Sequence, residues 1–160
     1  MNSNIATTVG IILNTVSAIA LLVTVIIMAV QIKEMRRATY ATAFKAVYDM
    51  LQTDDVRNAR RFVFVTLANK PFDSWTEDEK RTAEKVCNSY DTVAIMVRNG
   101  MIPVHVVADN WGDSLRRTWT ILSPLVESYR VQRDSMEYWD DYEWLAKQAQ
   151  RYQKVSRKQN

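Results

Sequence analysis

Residues 5–37 read IATTVGIILNTVSAIALLVTVIIMAVQIKEMRR, and this stretch decides the fold. The chain has 21 basic and 18 acidic side chains in 160 residues, and all of them lie at or after Lys33. A helix over residues 5–32 extends roughly 42 Å at about 1.5 Å per residue, which exceeds the ~30 Å hydrocarbon core of a bilayer. The sequence therefore predicts one transmembrane anchor, residues 1–32, followed by one domain, residues 33–160.

The residues that flank the anchor predict its orientation. Lys33, Arg36 and Arg37 come directly after the apolar run, whereas no basic residue precedes it. Because basic residues are retained on the cytoplasmic side, we expect the amino terminus outside and the domain in the cytoplasm. A signal peptide cleaved near residues 18–20 is the alternative, but signal peptides begin with a basic segment and have a shorter apolar run. We therefore predict an uncleaved, single-pass anchor in the lipid bilayer.

Small and polar residues in the anchor recur at steps of four and three. The members of this transmembrane stripe are Gly10, Asn14, Ser17, Thr24 and Gln31. A period of 3.5 residues is typical of the contact line in a left-handed helical bundle, and in membranes such lines favour small or hydrogen-bonding side chains. Since the chain has one such segment, we predict a homo-oligomer. The stripe forms either a packed contact, which we favour, or the lining of a narrow pore.

The remainder of the sequence indicates helices, because it contains no stretch of alternating apolar and polar residues. We predict an all-α fold in which the transmembrane helix continues into a compact cytoplasmic domain of about five to six helices. The helix beginnings expected in that domain are Ala38 as a continuation of the anchor, Asp54, Thr76 with a capping box to Glu79, Pro103, Asp113 with an interruption at Pro124, and Ser135.

Most familiar enzyme and metal sites are excluded by residue counts. The sequence has one cysteine, Cys87, one histidine, His105, and three glycines. These numbers exclude an internal disulfide, a multi-cysteine zinc cluster and a glycine-rich phosphate loop. Cys87 lies on an apolar helical face, where a thiol is usually a core residue, and His105 has no acidic residue nearby to orient it. We therefore expect no enzymatic activity, no metal ion and no cofactor.

Arginines in the second predicted helix are the first candidates for a ligand site. Arg60 falls within the arc of apolar positions, and Arg57 and Arg61 flank it. A buried guanidinium must be paired, so we expect an ion pair within the domain. The carboxylates expected as partners are Asp91, Glu127 and Glu143. The alternative is a cleft in which the three arginines bind an anionic ligand.

Two further groups of basic residues are candidates for binding. Arg116 and Arg117 lie close in sequence to Trp111 and Trp119, where a guanidinium over an indole ring serves either packing or the stacking of a base. The basic residues that share one face of the last helix are Lys147, Arg151, Lys154 and Lys158. These cations either solvate the end of the helix or, together with the basic cluster after the anchor, contact anionic lipid or a nucleotide polyanion.

Several short motifs resemble those of a known family. They are DDVRNARR at residues 54–61, Trp75 before an acidic helix start, RNGMI at 98–102, WGD at 111–113, YW at 138–139 and EWL at 143–145. Over about residues 33–152 the chain resembles a family of uncharacterised bacterial proteins with one amino-terminal membrane helix and a helical domain of unknown function. The resemblance implies a bacterial inner-membrane protein and brings no assigned reaction. In layout, the chain is also similar to small membrane effectors of bacterial antiphage systems, whose cytoplasmic domains sense a cyclic nucleotide.

Two functional hypotheses follow from these patterns. The first is a non-enzymatic membrane protein that oligomerises through its transmembrane helix and senses or scaffolds through its cytoplasmic domain. The second is a ligand-gated membrane effector, in which the arginines bind an anionic small molecule or nucleotide and the stripe lines a pore. We expect no sequence-specific DNA binding in either case.

Overall fold

The computed structural model describes the backbone of residues 2–159 and the side chains of residues 14 and 16–153. Over this range the chain forms five α-helices and no strands, so the predicted all-α fold is confirmed. The helices are α1 (Asn2–Gln52), α2 (Asp54–Val65), α3 (Glu77–Arg98), α4 (Val104–Arg133) and α5 (Asp140–Gln159). Two 3₁₀ turns, Leu67–Asn69 and Phe72–Ser74, separate α2 from α3. The chain divides into two compact units, Met1–Ala41 and Thr42–Asn160.

The first unit is a single apolar helix. All described side chains from Val16 to Ala41 are exposed, including a continuous series of valines, isoleucines and leucines up to Ile32. Among the described helices, α1 alone is long and apolar enough to cross a membrane. A helix is also the form that satisfies all interior backbone hydrogen bonds within one segment, as a bilayer requires.

The second unit has an ordinary buried core. The last turns of α1 contribute to it through Ala43, Val47 and Leu51, which recur every fourth residue and are buried. Helix α5 packs against both α3 and α4, and α2 packs mainly against α3. At the centre, the rings of Tyr90 and Tyr142 stack with their centroids 5.5 Å apart. Apolar helix faces therefore meet from residue 43 onward, whereas the apolar residues before that position stay exposed.

The capping box predicted for the third helix is confirmed at α3. The backbone N–H of Glu79 donates to Thr76 Oγ1, and the backbone N–H of Thr76 donates to the Glu79 carboxylate at 2.7 Å. Lys70 also donates to this carboxylate at 2.7 Å, and together these hydrogen bonds lower the pKa of Glu79. At the other end, Gly100 adopts a φ of +69°, which glycine tolerates without strain.

Two predicted helix boundaries in the carboxy-terminal half are wrong. A short helix at Pro103 and a second one from Asp113 were expected, but α4 is one continuous element that includes both Gly112 and Pro124. A glycine inside a helix costs only about 1 kcal/mol relative to alanine. Gly112 is buried close to Ala149 of α5, so burial offsets this cost. Around Pro124, the neighbouring side chains of α4 are likewise buried in the core.

The last helix begins at Asp140, five residues after the predicted start at Ser135. The connection contains two residues in the left-handed region, Asp134 with φ 49° and Trp139 with φ 55°. Left-handed backbone interrupts a right-handed helix. The N–H of Ser135 donates to the Arg130 carbonyl at 3.0 Å, so the residues expected to open α5 instead close α4.

Candidate functional site

Arg60 is placed at the edge of the core rather than inside it. The residue is partly exposed, and its Nη1 atom is buried without a hydrogen-bond partner. In the described part of the chain, no carboxylate lies within ion-pair distance of its guanidinium. The expected ion pair within the domain is therefore wrong.

The three carboxylates proposed as partners of Arg60 have other environments. Glu143 pairs with Arg130, whose Nη1 lies 2.8 Å from its Oε2. Asp91 accepts a hydrogen bond at 3.0 Å from the backbone N–H of Tyr142 in the first turn of α5. Glu127 is exposed. Helical periodicity predicts which side of a helix is buried, but it does not show which residues of other helices face that side. The partner of Arg60 could therefore not be predicted from its position on α2.

Two hydroxyl groups from other helices lie near Arg60. The Tyr90 hydroxyl, from α3, donates to Ser114 Oγ of α4 at 2.6 Å. Burial raises the pKa of Tyr90, while the hydrogen bond with Ser114, the positive charge of Arg60 and a hydrogen bond with the Arg60 guanidinium act in the opposite direction. The guanidinium is therefore close enough to the phenol to influence its ionisation, and α2, α3 and α4 meet at this point.

Arg117 approaches the same place from α4. Its guanidinium carbon lies 4.6 Å from the centroid of the Phe64 ring, which follows Arg60 by one turn of α2. Arg117 is also 3.7 Å from a carboxylate oxygen of Asp113. The two arginines thus share Phe64 as a neighbour, and Arg117 lies one turn after Ser114 on its own helix.

Helical geometry places three arginines on one side of α2, and Arg117 of α4 joins them through its contact with Phe64. At about 100° per residue, Arg60, Phe64, Arg57 and Arg61 fall within an arc of about 100° on α2. Arg57 and Arg61 are exposed, and Arg57 is 3.8 Å from Asp54. We call this surface the arginine face, defined by Arg57, Arg60, Arg61 and Arg117.

The tryptophans expected to stack on Arg116 and Arg117 have other partners. Trp111 is buried, with its ring 5.7 Å from that of Phe44. Trp119 packs edge-on against Tyr142 at 5.1 Å. Among the described side chains, neither arginine stacks on either indole, so the predicted guanidinium–indole contact, as packing or as a platform for a base, is wrong.

Arg116 lies in a separate cleft between α4 and α5. Its guanidinium is 3.1 Å from Asp113 and donates to the Ala149 carbonyl at 3.4 Å. The cleft has a volume of about 250 Å³ and is also lined by Asp109 and Tyr152. Two carboxylates and one paired arginine give this cleft an acidic character, unlike that of the arginine face.

Arg98 and Arg130 are structurally important arginines that the sequence reasoning missed. Arg130 is 9% exposed, its Nε donates to the Tyr138 carbonyl at 2.9 Å, and its Nη1 pairs with Glu143. Arg98 lies 2.8 Å from Asp141, at an angle that excludes a hydrogen bond, and its guanidinium carbon is 5.0 Å from the Trp144 ring. Periodicity offered a signal for Arg130, because it follows the buried Val126 by four residues.

Four members of the transmembrane stripe have described side chains, and all of them are exposed: Asn14, Ser17, Thr24 and Gln31. The Thr24 hydroxyl donates to the Ala20 carbonyl at 2.8 Å, one turn earlier in the same helix. Gly10, the fifth member of the stripe, lies outside the described side chains. The amides of Asn14 and Gln31 are thus the strongest hydrogen-bonding groups that the stripe presents.

The basic residues proposed to contact a membrane surface or a polyanion are exposed wherever they are described. After the anchor, Lys33 and Arg36 are exposed and Arg37 pairs with Glu34 at 3.0 Å. On α5, Lys147 pairs with Glu143 and Arg151 is exposed. Lys154 and Lys158 lie outside the described side chains.

Cys87 and His105 occupy different environments. Cys87 is fully buried, and burial raises the pKa of its thiol well above the usual value. A buried, protonated thiol is a poor nucleophile. His105 is exposed. Within the described part of the chain, no cluster of three or more histidine, cysteine, aspartate or glutamate side chains could hold a metal ion.

Comparison with known families identifies most of this chain. The domain of unknown function DUF4760 matches residues 12–149. The chain belongs to this family. The match covers the greater part of the apolar helix and nearly all of the helical unit that follows, so the family's domain spans both parts of the chain. No curated protein and no solved structure matches the chain.

Proposed function

We propose that this family member is a non-enzymatic, single-pass protein of the bacterial inner membrane. Its amino terminus lies outside, it assembles with copies of itself through its transmembrane helix, and its cytoplasmic helical unit senses or scaffolds. The observation that carries this proposal is the contrast between the exposed apolar surface of residues 16–32 and the buried core that begins at Ala43. A bilayer is the environment in which so long an exposed apolar helix is stable.

Self-association is supported by the amides of the stripe. Asn14 lies well within the apolar segment, where an unpaired amide is costly. The Thr24 hydroxyl is already bonded within its own helix, so it needs no second chain. Asn14, and Gln31 near the cytoplasmic end, therefore gain most from hydrogen bonds across an interface between helices.

The proposed orientation is supported by Lys33 and Arg36, whose exposed side chains can reach the headgroups. Exchange of Ser3 for cysteine provides a test in intact cells. We expect labelling of this cysteine by a membrane-impermeant thiol reagent, with the buried Cys87 unlabelled in the parent chain as the control. Protection of Ser3→Cys together with labelling of a carboxy-terminal cysteine tag contradicts the orientation.

The assembly is tested by the mass of the protein particle in mild detergent. Asn14→Leu removes the amide hydrogen bond across the interface, which is worth about 0.6–2 kcal/mol, so we expect a shift toward monomer. Ala29→Leu is the matched control, because Ala29 lies on the opposite side of the heptad repeat and is exposed. A monomeric wild-type protein, or equal effects of the two substitutions, contradicts the proposal.

A ligand-gated membrane effector is the second candidate, and one observation favours it. Arg60 has a buried Nη1 atom without an acceptor on a surface with three further arginines. In this candidate, an anion binds to the cytoplasmic unit and changes the assembly in the membrane. The decisive measurement is ion flux across reconstituted vesicles with and without an anionic ligand.

A further inference from the structure

We infer that the arginine face binds a phosphate-type oxyanion between Arg60 of α2 and Arg117 of α4. A phosphate-type oxyanion is the ligand class that the second candidate function requires. Only the effect of binding, a change of the assembly in the membrane, rests on that candidate function. Binding itself needs neither a pore nor an oligomer.

The first argument is the hydrogen-bonding state of Arg60. Buried donors in folded proteins nearly always have a partner, and an apparent exception commonly marks a missing water or ion. The Arg60 guanidinium is within hydrogen-bonding reach of the Tyr90 phenol, but its Nη1 is such an exception, and in the described part of the chain no carboxylate compensates its charge. Arg130 has an unpartnered Nη2, but its other guanidinium nitrogens bind Glu143 and the Tyr138 carbonyl. A bound anion thus supplies to Arg60 the negative charge that Glu143 supplies to Arg130.

The second argument is the convergence of Arg60 and Arg117. They are linked through Phe64, which lies one turn after Arg60 and 4.6 Å beneath the Arg117 guanidinium. They are linked again through Ser114, one turn before Arg117, whose Oγ accepts from the Tyr90 hydroxyl beside Arg60. Two guanidinium groups from facing helices can bind different oxygens of one tetrahedral anion, each in a bidentate manner.

Hydroxyl chemistry adds a further donor. Because Ser114 accepts a hydrogen bond from the Tyr90 hydroxyl at 2.6 Å, its own hydroxyl can donate to a further acceptor. An anion oxygen between the two arginines is therefore a suitable partner.

The charge balance favours an anion here. Asp113 is shared between Arg116 at 3.1 Å and Arg117 at 3.7 Å, so it neutralises Arg117 only in part. Arg117 is 62% exposed on its side chain and can turn toward a ligand at little cost. The neighbouring cleft at Arg116 is a weaker candidate, because Asp109 and Asp113 repel an anion there.

The ligand is recognised through its phosphate groups rather than through a base. Trp111 and Trp119 are occupied by Phe44 and Tyr142, and Arg117 covers the Phe64 ring. Inorganic pyrophosphate should therefore bind, without any contribution from a nucleoside. The same chemistry is offered by the headgroup of an anionic phospholipid, so the experiment must separate the two sources.

The test uses the full-length protein in a non-ionic detergent, titrated with inorganic pyrophosphate and followed by calorimetry and by the unfolding midpoint. Arg60→Met and Arg117→Met should each weaken binding by about tenfold or more, as expected for loss of a charge-assisted hydrogen bond. Arg81→Met is the control, because Arg81 is an exposed arginine of α3 that lies 4.0 Å from Asp78 and is not one of the four residues that define the arginine face. It should bind pyrophosphate like the wild type.

A second readout separates a ligand site from a structural role. Since Nη1 of Arg60 makes no hydrogen bond, Arg60→Met should keep the wild-type unfolding midpoint without ligand and lose only the increase that pyrophosphate causes. Equal binding by wild type and both arginine variants overturns the proposal. So does a lower ligand-free midpoint of Arg60→Met with unchanged binding.

A parallel arm identifies the source of the phosphate. The protein is placed in phosphatidylcholine nanodiscs with or without phosphatidylglycerol. If the anionic lipid raises the unfolding midpoint of the wild type but not of Arg60→Met, the ligand is a headgroup. If only soluble pyrophosphate raises this midpoint, the ligand is a soluble phosphate compound and not a lipid headgroup. No response of the wild type to either overturns the proposal, while the particle mass in the same samples reports separately on assembly.

Discussion

Arg60 and Arg130 lie in similar positions on different helices, yet the junctions around them differ. At the α4–α5 junction, Arg130 is buried against Glu143 and the Tyr138 carbonyl and holds the connection between the two helices. At the α2–α4 junction, Arg60 has a tyrosine and a serine nearby and no carboxylate among the described side chains. Arg130 has its counter-charge within the chain, whereas none is found for Arg60 in the part of the chain that the structure describes.

Whether a carboxylate pairs with a buried guanidinium decides its role in the protein. A guanidinium paired within the fold is a structural element, and removing it leaves a buried carboxylate without a partner. A guanidinium without a paired carboxylate contributes less to the stability of the fold and is available to an anionic ligand. Substitution of the arginine should therefore destabilise the fold at the α4–α5 junction and leave its stability nearly unchanged at the α2–α4 junction.

The largest effect is expected from Arg130→Met. This substitution removes one of the two cations that pair with the partly buried Glu143, leaving Lys147, and releases the Tyr138 carbonyl. Because hydrogen bonds to charged groups are lost, we expect the free energy of unfolding to fall by about 1.5–3 kcal/mol. Urea unfolding of the second unit, Thr42–Asn160, within the full-length protein measures this change. A loss below about 1 kcal/mol contradicts the structural role of Arg130.

A smaller effect is expected from Tyr142→Phe at the same junction. The Tyr142 hydroxyl donates to Thr118 Oγ1 at 2.7 Å, and both residues are fully buried. Its loss should cost about 0.5–1.5 kcal/mol in urea unfolding. Tyr90→Phe is the matched variant at the other junction and should cost less, because Ser114 is partly exposed and can bond to water instead. The reverse order of the two variants contradicts this comparison.

The pH dependence of stability sharpens the comparison further. Hydrogen bonds from Lys147 and then from Arg130 hold the pKa of Glu143 below its usual value, although burial opposes them. A carboxyl with a lowered pKa stabilises the folded state above its unfolded pKa of about 4.3, and this stability is lost as pH falls through the folded value. Glu143→Gln should therefore lose less stability than the wild type between about pH 6 and pH 3. If the stability of the wild type and of Glu143→Gln falls in parallel with pH, the ion pairs of Glu143 do not stabilise the fold.

The smallest effect is expected from Arg60→Met without ligand. The substitution removes a guanidinium that has no paired carboxylate among the described side chains, and methionine keeps the aliphatic part of the side chain. Tyr90 loses its contact with Arg60 but keeps its hydrogen bond with Ser114. We expect the free energy of unfolding to change by no more than about 0.5 kcal/mol. If this variant is destabilised as strongly as Arg130→Met, the two junctions are equivalent and the comparison fails.

The candidate site was only partly predictable from sequence. Helical periodicity placed Arg57, Arg60 and Arg61 correctly on adjoining positions of α2, because that pattern depends on local geometry. It could not show that Arg117 crosses to Phe64. Contacts between helices that are distant in sequence depend on how ridges of side chains pack, and one sequence contains no direct signal of that packing.

Composition, period and local hydrogen bonds were enough to predict the all-α class, the apolar segment long enough to span a bilayer and the capped start of α3. The tertiary structure decided the continuity of α4 through Gly112 and Pro124, where burial against neighbouring helices outweighs weak local preferences. It also decided that Glu143 belongs to Arg130 and that Arg60 has no such partner among the described side chains. An ion pair between two helices depends on the distance between the side chains, and that distance is fixed only once the helices have packed.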